Sequence, residues 1–326
     1  MLNRKYKLKH NFGKNKSAVQ NFLTELTLNS KKLFSAQVAN RQVIDVRQEQ
    51  DAVIGFIANV EEFLNYYQNS PDFSNIFNAI SGLKSITVLP PNLRGVYGYS
   101  EGNRIFINPA LFGNGILSPK ERTRLYVAHE LGHLINAKWL NSACQHLNFK
   151  VNSGQLPVKE AQLALNGFSL LDEATTQNRA EEFAYMLARK RRPDFRIIRN
   201  PRIFSNTPYK TNFDYYGELQ SPALDFARTL RGLGYIDNDS VALKSFSDRA
   251  LNPNFATNII NEYTTDGQAA NLYTLLQYMG NIKNASYALF GMGDPNSLTI
   301  SKANLERFNS LALSLRDFRS PNNQRI

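Results

Sequence analysis

Cysteine is almost absent from this 326-residue chain: Cys144 stands alone, so no internal disulfide can form, and a reducing compartment is expected. No apolar run approaches the length of about 18 residues that a bilayer span requires. The basic start, Met1 to His10, is followed by neither an apolar stretch nor a small-residue cleavage site, so no Sec-type signal is expected. The expected location is the cytoplasm, or another cell reached by a route that needs no cleavable signal. Internal repeats and low-complexity tracts are missing too. Acidic residues are outnumbered, 27 against 38 Lys and Arg, giving a formal net charge of +11. Six of the basic residues crowd into 4–16, and Lys190-Arg191-Arg192 extends to Arg196. No nucleic-acid-binding module accompanies these clusters, and aromatics do not interleave with them as stacking platforms would. The expectation is a solvated basic surface with a disordered leader over 1–16, and no specific nucleic-acid partner.

What is present is an ordinary globular composition, 42% apolar, long enough for a catalytic domain with helical additions. Val19, Phe22, Leu23 and Leu26 recur at helical spacing, as do Val53, Phe56, Ile57, Val60, Phe63 and Leu64, so about 17–82 reads as helical. The texture then turns to strand. Ser85-Ile-Thr-Val-Leu89 is β-rich and stopped by Pro90-Pro91, while 95–99 and 104–107 flank Ser100-Glu-Gly-Asn103, a four-residue hairpin connection. Ser118, Pro119 and Glu121 form an N-cap, first-turn proline and capping box, starting a helix that is expected to run to about Ser142. A second long helix is expected from about Leu170 to Lys190, ended by Pro193. Residues 197–222 read as loop, and 222–233, 271–289 and 301–318 as helices. The fold class is therefore α+β. The chain divides into a basic leader and helical region over 1–84, a catalytic core over 85–200, and a mostly helical lobe over 201–326.

The chemistry lies in the first long helix, in His129-Glu130-Leu131-Gly132-His133. Two His four residues apart share one helix face and can reach a single ion. Neutral imidazole suits Zn²⁺, and a glutamate beside the first His can take a proton from water that the ion has acidified. Val127-Ala128 and Leu134-Ile135 make the segment a buried helix. Gly132, costly in a helix interior by about 1 kcal/mol, points to close packing. His10 in the leader and His146 read as structural, and Cys144 as a small apolar residue.

This segment resembles the active-site helix of zincin metallopeptidases. The metzincin continuation would need Gly at 136 and His at 139, where this chain has Asn136 and Trp139. The resemblance therefore implies a glutamate as third ligand, supplied by a following helix. Two positions compete. Leu171-Asp172-Glu173-Ala174-Thr175-Thr176-Gln177 is similar to the thermolysin-like pattern, making Glu173 the ligand and placing Gln177 to hydrogen-bond a metal-bound histidine. Ala180-Glu181-Glu182-Phe183-Ala184 resembles the lethal-factor-like segment, making Glu181 the alternative ligand, although Tyr185 replaces the acidic residue expected a turn later. The same resemblance implies that the hairpin over 95–107 supplies an edge strand that holds an extended peptide by backbone pairing. A tyrosine of 209, 215 or 216 would steady the oxyanion.

What the resemblance implies is a zinc-dependent endopeptidase: Zn²⁺ on His129, His133 and a downstream glutamate, Glu130 as general base, and a protein or peptide substrate. A toxin-like effector protease delivered into another cell fits the missing signal. Two other classes stay open at this point, a zincin-like binding module with little turnover and a basic protein that binds nucleic acid or membrane.

Overall fold

The computed structural model describes residues 6–37, 46–88, 98–107, 119–191, 247–264, 272–277 and 279–280. The expected loop over 197–222, the cap at Ser118, Tyr209, Tyr215 and Tyr216, and the helices over 222–233 and 301–318 lie outside these residues. So does most of the 271–289 helix. The described chain is mostly helical with one small sheet, an α+β composition. None of its helices is long and apolar enough to cross a membrane.

By its internal contacts the chain divides into two units. The first takes Met1–Ile135 and Arg179–Arg196, the second Asn136–Asn178 and Ile197–Ile326.

In the first unit the order is α1 (Lys16–Gln37), α2 (Val46–Tyr67), α3 (Phe73–Ile80), β1 (Ser85–Val88), β2 (Gly98–Glu101) and β3 (Arg104–Ile107). The apolar positions that repeat at helical spacing are the ones buried: Val19, Phe22, Leu23 and Leu26 on α1, and Val53, Phe56, Ile57, Val60, Phe63 and Leu64 on α2. The sheet runs β1-β3-β2, with β1 parallel to β3 and β2 antiparallel to it. Strand β3 is therefore central and β2 marginal. The hairpin is tighter than its sequence implied: pairing reaches Glu101 opposite Arg104, leaving only Gly102-Asn103 as the turn. Gly102 takes φ +57°, the sign that a two-residue turn wants at its first position and that only glycine adopts cheaply. At the other margin the amide of Ile86 on β1 donates to the Ser30 hydroxyl of α1 at 3.3 Å, so a helix covers that edge.

The leader departs from expectation. Residues 6–10 are anchored, not loose, because Glu61 of α2 is wholly buried and takes its hydrogen bonds from them. Oε2 accepts from the Tyr6 hydroxyl at 2.8 Å, and Oε1 from the amides of Lys9 at 2.6 Å and His10 at 2.9 Å, with His10 Nδ1 at 3.2 Å. A buried carboxylate without such partners costs several kcal/mol. Tyr6, Leu8 and His10 are half-buried while Lys7 and Lys9 are exposed, so the strap alternates and turns its charges to water. Burial first, then the hydrogen bond to Glu61, push the Tyr6 hydroxyl far above its ordinary value. It stays protonated as the donor.

Two helices of 34 residues each follow, α4 (Pro119–Asn152) and α5 (Val158–Arg191). Both exceed their expected lengths. Helix α4 passes Ser142 by ten residues, and α5 begins twelve residues before Leu170. The chain reverses where Gly154 adopts φ +69° and the amides of Gln155 and Leu156 return to the Lys150 carbonyl at 2.9 and 3.2 Å, a glycine-capped helix end. The Pro157 carbonyl then accepts the first bond of α5, from Ala161, at 2.9 Å.

The second unit holds the turn between α4 and α5, α6 (Phe255–Thr264) and the helical residues 272–277 and 279–280. Its core gathers Trp139, Ala143, Leu147, Phe168, Leu171, Phe255, Ile259, Leu272, Leu276 and Met279, with Trp139 edge-on to Phe255 at 5.1 Å between centroids.

Candidate metal centre

Helix α4 presents His129 and His133 one turn apart, as their spacing requires. Their Nε2 atoms lie 3.1 Å from each other and their rings stand at 85°. Two nitrogens at about 2.0–2.1 Å from one tetrahedral ion would stand roughly 3.3 Å apart, so the spacing fits a shared cation. An Nε2–H···Nε2 hydrogen bond gives a similar distance. Glu173 of α5 brings a carboxylate oxygen to the pair, so that one ligand atom from each of His129, His133 and Glu173 lies within 4.8 Å of the others. Among the described residues this is the one group of His, Cys, Asp or Glu that brings three ligand atoms together. Two imidazoles and a carboxylate are a donor set suited to zinc, and three protein ligands leave the fourth position that a catalytic zinc site needs.

The surroundings are apolar. His129 and Glu130 are each only 4% exposed, among buried Val127, Ala128, Leu131 and Ile135. His133 and Glu173 are half-buried. Glu130 follows His129 directly in the same buried turn.

Of the two glutamates that compete as third ligand, Glu173 joins the histidines. Glu181 sits half-buried two turns further along α5 and is outside the group. Gln177 is buried one turn after Glu173. His146 lies elsewhere: its Nε2 meets the Tyr273 hydroxyl at 2.6 Å, the rings being nearly parallel. Burial, and then the charge of Lys150, hold the His146 imidazole below its ordinary value, and burial raises the Tyr273 hydroxyl. Both shifts favour the neutral forms, an uncharged imidazole and an un-ionised phenol. Cys144 is half-buried and accepts from Asn148 Nδ2 at 3.7 Å, a small packing residue.

Two features beside the centre escaped sequence reasoning. Arg124, five residues before His129 and 2% exposed, is clasped by Glu62 of α2 through Nε to Oε2 at 2.8 Å and Nη2 to Oε1 at 3.0 Å. That bidentate pair fastens the first turns of α4. One turn beyond His133, Asn136 is completely buried and its Nδ2 faces four acceptors of α5. These are Asp172 Oδ1 at 2.8 Å, Thr175 Oγ1 and Thr176 Oγ1 at 3.0 Å each, and the Asp172 carbonyl at 3.4 Å. The signal for this network was an Asn on the motif's helix and an Asp-x-x-Thr-Thr run on the next. No local rule pairs the two.

No protein-family model matches the chain, and neither a curated protein nor a solved structure shows significant similarity to it.

Proposed function

We propose that the chain is a zinc-dependent peptidase of the zincin type, with His129, His133 and Glu173 as metal ligands and Glu130 as general base. One observation carries the reading: the three ligand atoms, from residues 129, 133 and 173, meet within 4.8 Å with the two Nε2 atoms 3.1 Å apart. A bound zinc would lower the pKa of a water from 15.7 to about 7 and polarise a substrate carbonyl. Glu130, held beside His129 in apolar surroundings, accepts the proton at its carboxylate and returns it to the leaving amine. The buried face of α4 keeps bulk water from that carboxylate. The order of sheet, motif helix and second helix with a glutamate supports a zincin-like core. Strand β2, at the sheet margin, is the edge on which an extended peptide would pair. The substrate is thus a protein or peptide in extended form.

The test is a metal analysis followed by turnover of a mixture of unstructured, proteome-derived peptides. The wild-type chain should carry one zinc and cleave peptides. Glu130→Gln should keep its zinc and lose about 10²–10⁴-fold in rate. Cleavage that survives Glu130→Gln, or a wild-type chain without stoichiometric zinc, overturns the reading.

A further inference from the structure

Asn136 stands where the metzincin pattern would have Gly, and it is completely buried three residues after His133. One amide nitrogen with two protons has four oxygens of α5 within 3.4 Å, and Asn136, Thr175 and Thr176 are completely buried. Asp172 is buried as well and shares its Oδ1 with the Thr176 hydroxyl at 3.4 Å. The Thr175 hydroxyl donates back to the Leu171 carbonyl at 2.8 Å. The cluster spends polar groups where apolar ones would pack more cheaply, so its value lies in what only directional bonds provide. They fix the register of one helix on another. Van der Waals packing between helices tolerates a shift of an ångström, whereas four oxygens around one amide do not.

That register decides one thing about the centre. Asn136 follows His133 by three residues on α4, and Asp172 precedes Glu173 by one on α5. Each helix is continuous through these positions, so a lock between 136 and 172 also sets where the Glu173 carboxylate stands relative to the two imidazoles. We infer that Asn136 is a positioning residue for the metal centre: through Asp172, Thr175 and Thr176 it holds Glu173 as third ligand. The inference rests on the metal-site reading proposed above. It adds a role for the residue one turn after the second histidine and explains why the ligand is Glu173 of α5.

Cobalt in place of zinc reports the ligand set directly through its visible absorption bands, so no turnover is needed. Wild-type chain and Glu173→Gln give the two reference spectra. Asn136→Leu, close in volume and without a donor, should unfold cooperatively, bind zinc about 10–100-fold more weakly in chelator competition, and show the Glu173→Gln spectrum. A wild-type spectrum and affinity in Asn136→Leu overturn the inference and leave the metal site standing. A wild-type chain that takes up no cobalt overturns the metal site itself, and this inference with it. Should Asn136→Leu fail to fold, the reciprocal exchange keeps the test. Asn136→Asp alone sets two carboxylates together and should give the Glu173→Gln spectrum. Adding Asp172→Asn restores one N–H···O bond in the opposite direction and should return the wild-type spectrum. Identical spectra in the single and double variants overturn the inference.

Discussion

Glu173 and Glu181 are eight residues apart on one helix, about 12 Å along its axis at 1.5 Å per residue, so one ion cannot be served by both. Replacing Glu173 by Ala should weaken zinc binding at least tenfold in chelator competition, while Glu181→Ala should leave it unchanged. The reverse result would move the centre a full two turns along α5. That His129 and His133 meet was legible, because four-residue spacing fixes their geometry within a single helix. Glu173 and Glu181 stayed in competition, since choosing between them needs the register of α5 against α4, which no local pattern states. His10 shows the same limit. It reads as part of a loose basic leader, and only the burial of Glu61, fifty-one residues away, makes it an anchor. His146 supplies a pH dependence whose sign follows from its surroundings. Its folded value lies below the ordinary 6.5, so between the two the unfolded chain binds a proton that the folded chain refuses. This contribution is fully present above about pH 6.5 and is lost as the pH falls through the lower, folded value. Tyr273, raised above 10.0, behaves oppositely: its contribution holds below pH 10 and fades as the pH climbs past it. In urea titrations at pH 7.5 and 5.0, His146→Gln should lose less stability on acidification than the wild type. Equal losses would show that the pair does not titrate as its burial dictates.

At the scale of whole elements, α1, α2, the hairpin strands and the start of α4 were legible, because apolar spacing, the turn glycine and the proline at 119 each act locally. The end of α4 and the start of α5 were not. Asn148 and Asn152 look like loop residues, but they lie on exposed or terminal positions of α4, where polar residues cost the helix little. Helix α5 was legible from Leu170 onward but not over 158–169, where Asn166 and Gly167 are poor helix formers. A second device at this scale is the meeting of two glycines. A Cβ built on Gly167 of α5 would strike the backbone of Leu276, and one on Gly280 would strike the Leu163 carbonyl. The two helices approach until backbone touches backbone, and only glycine permits this at both positions. Because backbone cannot swing aside as a side-chain tip would, Gly167→Ala should cost about 1–3 kcal/mol, and Gly280→Ala a similar amount. Exposed Gly102 cannot serve as the control, because its positive φ penalises alanine for another reason. Gly55, with open space around its Cβ direction on α2, can, and Gly55→Ala should stabilise slightly. Urea midpoints for the three variants decide it, and equal effects would mean the close approach is not a constraint.

Across the whole molecule, metal binding should be coupled to stability, because the ligand atoms come from residues 129, 133 and 173 of two different helices. Unfolding separates α4 from α5 at this point, so an unfolded chain offers at best the two histidines. A ligand that binds the folded chain alone adds RT ln(1 + [L]/Kd), about 2.7 kcal/mol at a hundredfold excess over Kd. For a chain of this size that raises the unfolding temperature by roughly 5 °C. Thermal scans of chelator-treated protein, with and without zinc, should show this rise in the wild type. They should show most of it in Glu130→Gln, whose carboxylate is assigned no ligand role, and none in His129→Ala. Among the described residues no second group of His, Cys, Asp or Glu brings three ligand atoms together. An equal rise in His129→Ala would therefore place the ion elsewhere and remove the coordination on which the peptidase reading depends.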